Sequence, residues 1–323
     1  MKLATISNGT ADGELAVVSG DGSRYLSAPG WPTLQSALDD WDRAEPELAH
    51  LGEDLIAGSG ETLDVGLLLA PLPRAWQWLD GSAYRSHGEL MERLFGSPPP
   101  ELGRPLMYQG MSHRFLSATE DVVFPRTEDG IDFEGEFGVI TDAVPMGVTP
   151  AEAMSHIKLI IQINDWSLRV LAPQEMKTGF GWVQAKPACS AAPFAVTPRE
   201  LGDHWRDGRV DLPLRVEWNG EWFGAPLGGH MGFGFHELIA HAAATRDLCA
   251  GTIIGSGTVS NPDYRIVGSS CIAERRGIEM LDQGAPKTPY MAFGDTVRME
   301  ARLPDGSVVF GAIDQRVIAP PRR

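Results

Sequence analysis

Cysteine and positive charge are both scarce in this chain. Cys189, Cys249 and Cys271 are its only three cysteines in 323 residues. They are odd in number, far apart and form no CxxC pair, which excludes a disulfide framework and a zinc cluster of ordinary spacing. Lys and Arg total 27 against 43 Asp and Glu, a formal net charge of -16. A surface this acidic repels phosphate backbones and anionic lipid, so no nucleic acid and no membrane surface is expected as a partner. An acidic small substrate is still compatible, because cations at a site outweigh a distant net charge that salt screens. No apolar window reaches membrane-spanning length; the richest run, 159–163, is interrupted by Gln162. Residues 1–9 hold one lysine and no apolar stretch of signal-peptide length. A reducing, cytoplasmic location is expected.

What the chain does have is 43% hydrophobic residues with 37 Gly and 24 Pro, enough for a real core but punctuated by turns. A sheet-rich α+β fold is expected. Two short strands, 1–6 and 14–19, precede a helical stretch over 33–56, where Pro46 is expected to interrupt. A short apolar strand over 67–70 runs into Pro71 and Pro73. A domain boundary is placed here: 1–73 as a small accessory domain, 74–323 as the reactive one. Residues 96–105 hold four prolines and read as an irregular loop. Alternation predicts a strand over 131–141, and Thr149 caps a helix over 150–156. A buried strand over 159–163 ends at Asn164-Asp165. Asn219-Gly220 is a hairpin turn between 214–218 and 221–223. A helix is expected over 235–248, and strands over 251–259, 295–302 and 307–318.

The sharpest local feature is Asp132-Phe133-Glu134-Gly135-Glu136. On a strand the three acids share one face, and Glu134 and Glu136 lie roughly 6–7 Å apart along it. Carboxylates that close repel unless something cationic joins them, and hard divalent ions take such oxygen ligands. A solvated strand face is the competing reading. Asp165, ending a core strand, has either a ligand's role or a cap's. Arg169 has the planar fork to clamp a carboxylate, or makes a surface ion pair. Lys186 would polarise an anionic substrate, or sit in solvent. His87 and His113 are rival general bases. Gly255-Ser256-Gly257-Thr258 lacks the P-loop lysine, so nucleotide binding is rejected.

The order of these pieces resembles the fumarylacetoacetate hydrolase family: Leu67 to Pro73, Tyr84 with His87, Asp132 to Glu136, Asn164-Asp165-Trp166-Ser167 with Arg169, Lys186, and Gly255 to Ser260. The resemblance covers roughly 67–318. It implies a mixed, β-roll-like catalytic domain beside a small amino-terminal domain, and commonly a homodimer. It implies Mg2+ or Ca2+, with Mn2+ as an alternative, held by Glu134, Glu136 and Asp165; Asp80, seven residues before His87, is a further ligand in some members. His87 is the base, Lys186 steadies developing charge, and Tyr84, Tyr108, Arg169 and Thr258 face the substrate, a small oxo acid. The glutamate partner of His87 has two candidates. Short members place it three residues on, but position 90 is leucine, flanked by Glu89; larger members use a distant glutamate, in the region of Glu274. The glutamine expected three residues after the arginine is absent, since position 172 is alanine. The implied reaction is hydrolysis of a carbon–carbon bond in a β-dioxo acid of the fumarylacetoacetate or acylpyruvate type. Decarboxylation, isomerisation or sugar-acid dehydration on the same fold, and a non-catalytic binding protein, are the alternatives.

Overall fold

The computed structural model describes residues 1–95 and 103–321. The proline-rich segment expected as a loop lies mostly outside the described residues. The rest is mixed α+β and sheet-rich, as composition predicts. Two sheets dominate, and both run as open paths among the described residues.

The larger sheet is centred on the antiparallel pair Gly135–Thr141 and Ile157–Asn164, in register Ile163 to Glu136 and Asn164 to Gly135. Ile157–Asn164 is buried at every position but Lys158, on both faces, and five of its eight residues are apolar. That explains why it shows no alternation: both sides of the sheet are covered. Thr252–Gly255 pairs with Gly135–Thr141 on the other side, and Gln77–Gly81 pairs with it in parallel. The amino-terminal strands Lys2–Ile6 and Glu14–Val18 extend the same sheet through Ala195–Val196. The smaller sheet runs Glu221–Gly224, Leu214–Trp218, Thr296–Ala301, Ile313–Ile318 and Val122–Val123. Asn219 and Gly220 adopt positive φ of 53° and 78° in its hairpin, the type I′ turn expected of that pair.

Two apolar cores lie on the large sheet. One joins Phe137, Val139 and Ile160 to Leu214, Val216, Met299 and Phe310 of the smaller sheet region. The other packs Leu34, Leu38, Trp41, Leu48 and Leu55 against Leu3, Val17, Ile140, Leu159 and Ile161. Each fully buried Leu or Ile contributes roughly 1.5–3 kcal/mol of transfer free energy.

Several boundaries differ from expectation. Pro46 does not interrupt its helix, Trp41–Ile56; the break falls earlier, after Leu38. The stripe Trp41, Ala44, Leu48 and Leu55 is buried and holds the helix across the proline. Residues 67–70 form no strand, only a 3-10 turn at Val65–Leu67 and a single bridge from Leu68 to Ile6. Pro71 and Pro73 have no N–H with which to extend it. The helix from Phe235 stops at Ala242, because the chain turns away to pair Leu248 with Val144. The strand expected over 251–259 is only Thr252–Gly255, and the one over 307–318 is only Ile313–Ile318. The strand over 131–141 is split into Ile131–Asp132 and Gly135–Thr141, with Glu134 bridged to Cys271 instead. The helix Ile272–Gln283 has no counterpart in the sequence reading. Among the described residues no helix is long and apolar enough to cross a membrane.

Candidate active site

The clustered acidic residues converge from three segments. Glu136 comes from the central strand, Asp165 from the end of its partner Ile157–Asn164, and Asp80 from Gln77–Gly81. One carboxylate oxygen of each lies within 4.8 Å of the other two, and all three residues are buried. Asp80 has room because its neighbour in register is Gly255; a Cβ there would overlap both Asp80 Oδ1 and the Trp78 ring. The Gly-Ser-Gly-Thr segment therefore serves this cluster rather than a phosphate. Gly257 donates its N–H to Asp80 Oδ1 at 3.1 Å, and the Thr258 hydroxyl donates to Glu134 Oε2.

Glu134 is turned differently. Its Oε1 accepts from Lys186 Nζ at 2.7 Å and from the Ser167 hydroxyl, and lies 2.9 Å from a guanidinium nitrogen of Arg169. The strand break beside it redirects this side chain toward cations, whereas Glu136 faces Asp80 and Asp165. The solvated-face reading of the three acids is overturned: Asp132 and Glu136 are fully buried and Glu134 is 6% exposed. Burial opposes charge on Glu134, but Arg169 and Lys186 outweigh it and hold its carboxyl well below the usual range. Burial, then the charge of Asp165, pushes Asp80 up. Burial, then Asp80 and Asp165, does the same to Glu136.

Asp165 is no helix cap. Its Oδ2 accepts from Lys186 Nζ and from the Tyr108 hydroxyl, both at 2.7 Å, and its Oδ1 from the Cys189 thiol at 3.0 Å. Lys186 is buried rather than solvated, beneath the rings of Tyr108 and Trp182, which meet edge to face at 4.6 Å. Burial works against its charge, yet Asp165 and Glu134 keep the ammonium protonated far above neutrality.

These residues fit a hard divalent ion. Glu136 has both carboxylate oxygens buried without a hydrogen-bond partner, between two further carboxylates. A buried anion so placed is costly unless a cation compensates it. The donors are all oxygen, which favours Mg2+, Mn2+ or Ca2+ over zinc.

His87, third residue of the helix Arg85–Phe95, has Nδ1 3.7 Å from Glu274 Oε2. Glu274 Oε1 accepts from the Ser260 hydroxyl, which in turn accepts from the Ser86 hydroxyl at 2.9 Å. The glutamate beside His87 is thus Glu274; Glu89 is exposed, as is His113. Leu90, standing where a glutamate occurs in short family members, is buried against Tyr264 and Ile278. It docks the helix of His87 onto the helix of Glu274.

Three expected substrate contacts are engaged within the protein. Tyr84 is buried and its hydroxyl donates to the Gly228 carbonyl at 3.0 Å. Arg169 joins Asp132, at 2.7 Å, to Glu134 instead of clamping a ligand from an open position. Thr258 holds Glu134. Tyr108 remains at the mouth of the cluster beside Lys186 and Trp182. Sequence reasoning missed Cys189, Ser167 and Ser260. It also missed the role of Asp132, which accepts from the backbone N–H of Ile272 and Ala273 and so anchors the helix carrying Glu274. Ser167 and Ser260 lie within the motifs named above, and Cys189 stands three residues after Lys186.

Comparison with known proteins agrees with this geometry. Residues 77–318 match the model of the fumarylacetoacetate hydrolase C-terminal domain, and 1–74 match fumarylacetoacetase N-terminal domain 2. The 2,4-didehydro-3-deoxy-L-rhamnonate hydrolase of Sphingomonas sp. (strain SKA58) is 26% identical over 247 residues, covering 73% of this chain and 81% of that protein. Two solved structures share the fold across 99–100% of this chain and the whole of theirs. Maleylpyruvate hydrolase from Sphingobium sp. SYK-6, in complex with manganese(II) and pyruvate, has TM-score 0.66 at 17% identity. The 5-carboxymethyl-2-hydroxymuconate delta-isomerase of Mycobacterium smegmatis has TM-score 0.63 at 19% identity. With domain matches over nearly its whole length and the acidic cluster in place, the chain belongs to the fumarylacetoacetate hydrolase family.

Proposed function

We propose that the protein is a divalent-metal-dependent hydrolase that splits a carbon–carbon bond in a small β-dioxo acid. The observation that carries this reading is the pairing of two devices: the Asp80, Glu136 and Asp165 cluster under Lys186, and the partly exposed His87 over the buried Glu274. The first suits a bound divalent ion and an anionic substrate; the second suits proton transfer from water.

Bound at the carboxylates, the ion would supply Lewis acidity toward the substrate's oxo groups. The chain's own residues do the rest. His87 takes a proton from water, and the carboxylate of Glu274, facing its Nδ1, favours the imidazolium that forms. The hydroxide attacks one carbonyl carbon, the adjacent carbon–carbon bond breaks, and its electron pair passes to the other oxo group as an enolate. Lys186, kept protonated, faces that developing charge. The enolate then takes a proton, so one water is consumed and two acids or an acid and a ketone leave. Two carbonyls in 1,3 relation are required, because only then does the broken bond have an electron sink. The name of the Sphingomonas relative's substrate places oxidised carbons at positions 2 and 4, which is that relation.

The test is turnover by the wild-type enzyme with Mg2+ or Mn2+ on acylpyruvates, fumarylacetoacetate, 2,4-dioxo sugar acids and oxaloacetate. Cleavage of any dioxo acid, lost on chelation, is the expected result. Release of carbon dioxide from oxaloacetate with no cleavage of the others would replace hydrolysis with decarboxylation. We also propose a homodimer, on the family's habit and on the exposed Met176, Phe180 and Val183 beside the site. Sedimentation equilibrium should give about twice the 35.0 kDa chain mass. A monomer at all concentrations refutes it.

A further inference from the structure

A second group of donor atoms converges next to the carboxylates, and its chemistry is different. His87, Cys271 and Glu274 each bring one donor within 4.8 Å of the other two. The set is one nitrogen, one sulfur and one oxygen. Such a set suits borderline ions such as zinc and is poor for Mg2+ or Ca2+. We infer that His87, Cys271 and Glu274 form a second metal site, for a zinc-type ion, which when filled ties up the histidine–glutamate pair.

Four observations support it. The separation of His87 Nδ1 from Glu274 Oε2, 3.7 Å, is too long for a hydrogen bond. It matches the spacing of two ligands on one tetrahedral ion, about 3.3–3.8 Å for ordinary zinc bond lengths. Both atoms are buried and lack a hydrogen-bond partner, and Glu274 is wholly buried. Ser260 holds Glu274 Oε1 at 2.7 Å, which leaves Oε2 as the free oxygen. Cys271 is the N-cap of the helix Ile272–Gln283, its sulfur accepting the Glu274 N–H at 3.3 Å, where the helix dipole favours a thiolate.

The charges also close. Burial pushes the free Cys271 thiol up, so without an ion it is protonated and inert. A bound divalent ion would displace that proton to solvent, leaving a thiolate, a carboxylate and a neutral imidazole around a 2+ charge. The His87 side chain is 21% exposed, so the site has a door. The binding claim stands apart from the proposed reaction; only the loss of turnover on zinc binding rests on that reading.

The probe is Co2+, titrated into the full chain with excess Mg2+ to keep the carboxylate site filled. One equivalent should give a near-ultraviolet thiolate-to-cobalt absorption. It should persist in C189S and C249S, disappear in C271S, and need at least about tenfold more cobalt in H87N. Serine keeps the helix cap, so C271S should stay folded. Zinc should then inhibit the wild type, and C271S, measured against its own zinc-free rate, should need at least about tenfold more zinc for half-inhibition. No band in the wild type, a band surviving in C271S, or a band lost in C189S instead would overturn the site. Should no substrate be turned over, the cobalt band still decides.

Discussion

His87 Nδ1 faces Glu274 Oε2 across 3.7 Å, although the two residues are 187 positions apart in sequence. The histidine is part-exposed and the glutamate is sealed. Such a pair suits the proposed base, because the buried carboxylate favours the charged imidazole. His87→Ala and Glu274→Gln should each keep metal affinity and lower kcat, by roughly 10²–10⁴-fold for the histidine. Glu89→Ala and His113→Ala should leave kcat within about twofold, since both residues are exposed. Steady-state kinetics on whichever dioxo acid is cleaved checks all four. A dead His113→Ala with an active His87→Ala would reverse the assignment.

Gly255 bears on metal binding without touching a ligand through any side chain. A Cβ at that position would overlap Asp80 Oδ1 and the ring of Trp78, which is 1% exposed and has nowhere to go. Gly255→Ala should destabilise by about 1–3 kcal/mol through overpacking. It should also weaken divalent-ion binding, measured by calorimetry, because Asp80 is the softer of the two neighbours. Unchanged affinity would mean that Asp80 lies outside the metal site.

Much of this site was legible from the chain itself, because it is local. Glu134, Glu136, Asp165 and Lys186 occur in short motifs on or beside apolar runs, and strand geometry alone brings such residues together. What strand periodicity could not reveal was the division of labour between the two glutamates. A break at Phe133-Glu134 turns Glu134 toward Lys186 and Arg169, and nothing in an alternating pattern marks a break. The helix Ile272–Gln283 was missed because its apolar positions are few and Gly277 interrupts them. The place of Cys271 and the anchor to Asp132 were missed with it, and Glu274 was reached only as one of two candidates that the resemblance implies. Tyr84 misled for the opposite reason: it stands three residues before His87 in sequence, but its ring is part of the core.

Removing the divalent ion should destabilise the protein, and more so at higher pH. In the metal-free fold burial and mutual repulsion raise Asp80 and Glu136 above ordinary carboxylates. The folded state then holds protons that the unfolded state has released. Its stability therefore falls as pH rises from the ordinary carboxylate range toward the raised values. A bound ion replaces those protons and stabilises by mass action. The rise in Tm on adding Mg2+ or Mn2+ should be larger at about pH 8 than at about pH 5.5. An equal shift at both would show that the buried carboxylates are not what the ion relieves.

Asp132 supports both halves of the site through its hydrogen bonds. Its carboxylate accepts from Ile272 N at 2.7 Å, from Ala273 N at 2.9 Å and from Arg169 Nε at 2.7 Å. The first two bonds hold the start of the helix that carries Glu274; the third holds the guanidinium that pairs with Glu134. Asp132→Ala removes all three acceptors and leaves Arg169 with one buried partner fewer, a change of the kind that costs about 3–5 kcal/mol. Asp132→Asn keeps one acceptor oxygen and should cost less, with part of the helix anchor retained. If Asp132 acts only through these contacts, Asp132→Asn should lower kcat by shifting Glu274 while leaving the KM for substrate nearly unchanged. Combining it with Glu274→Gln should then add little further loss, since both changes strike the same partner of His87. Denaturant unfolding and the double-mutant cycle measure the two effects independently. Full additivity in kcat would show that Asp132 influences turnover by some route other than Glu274.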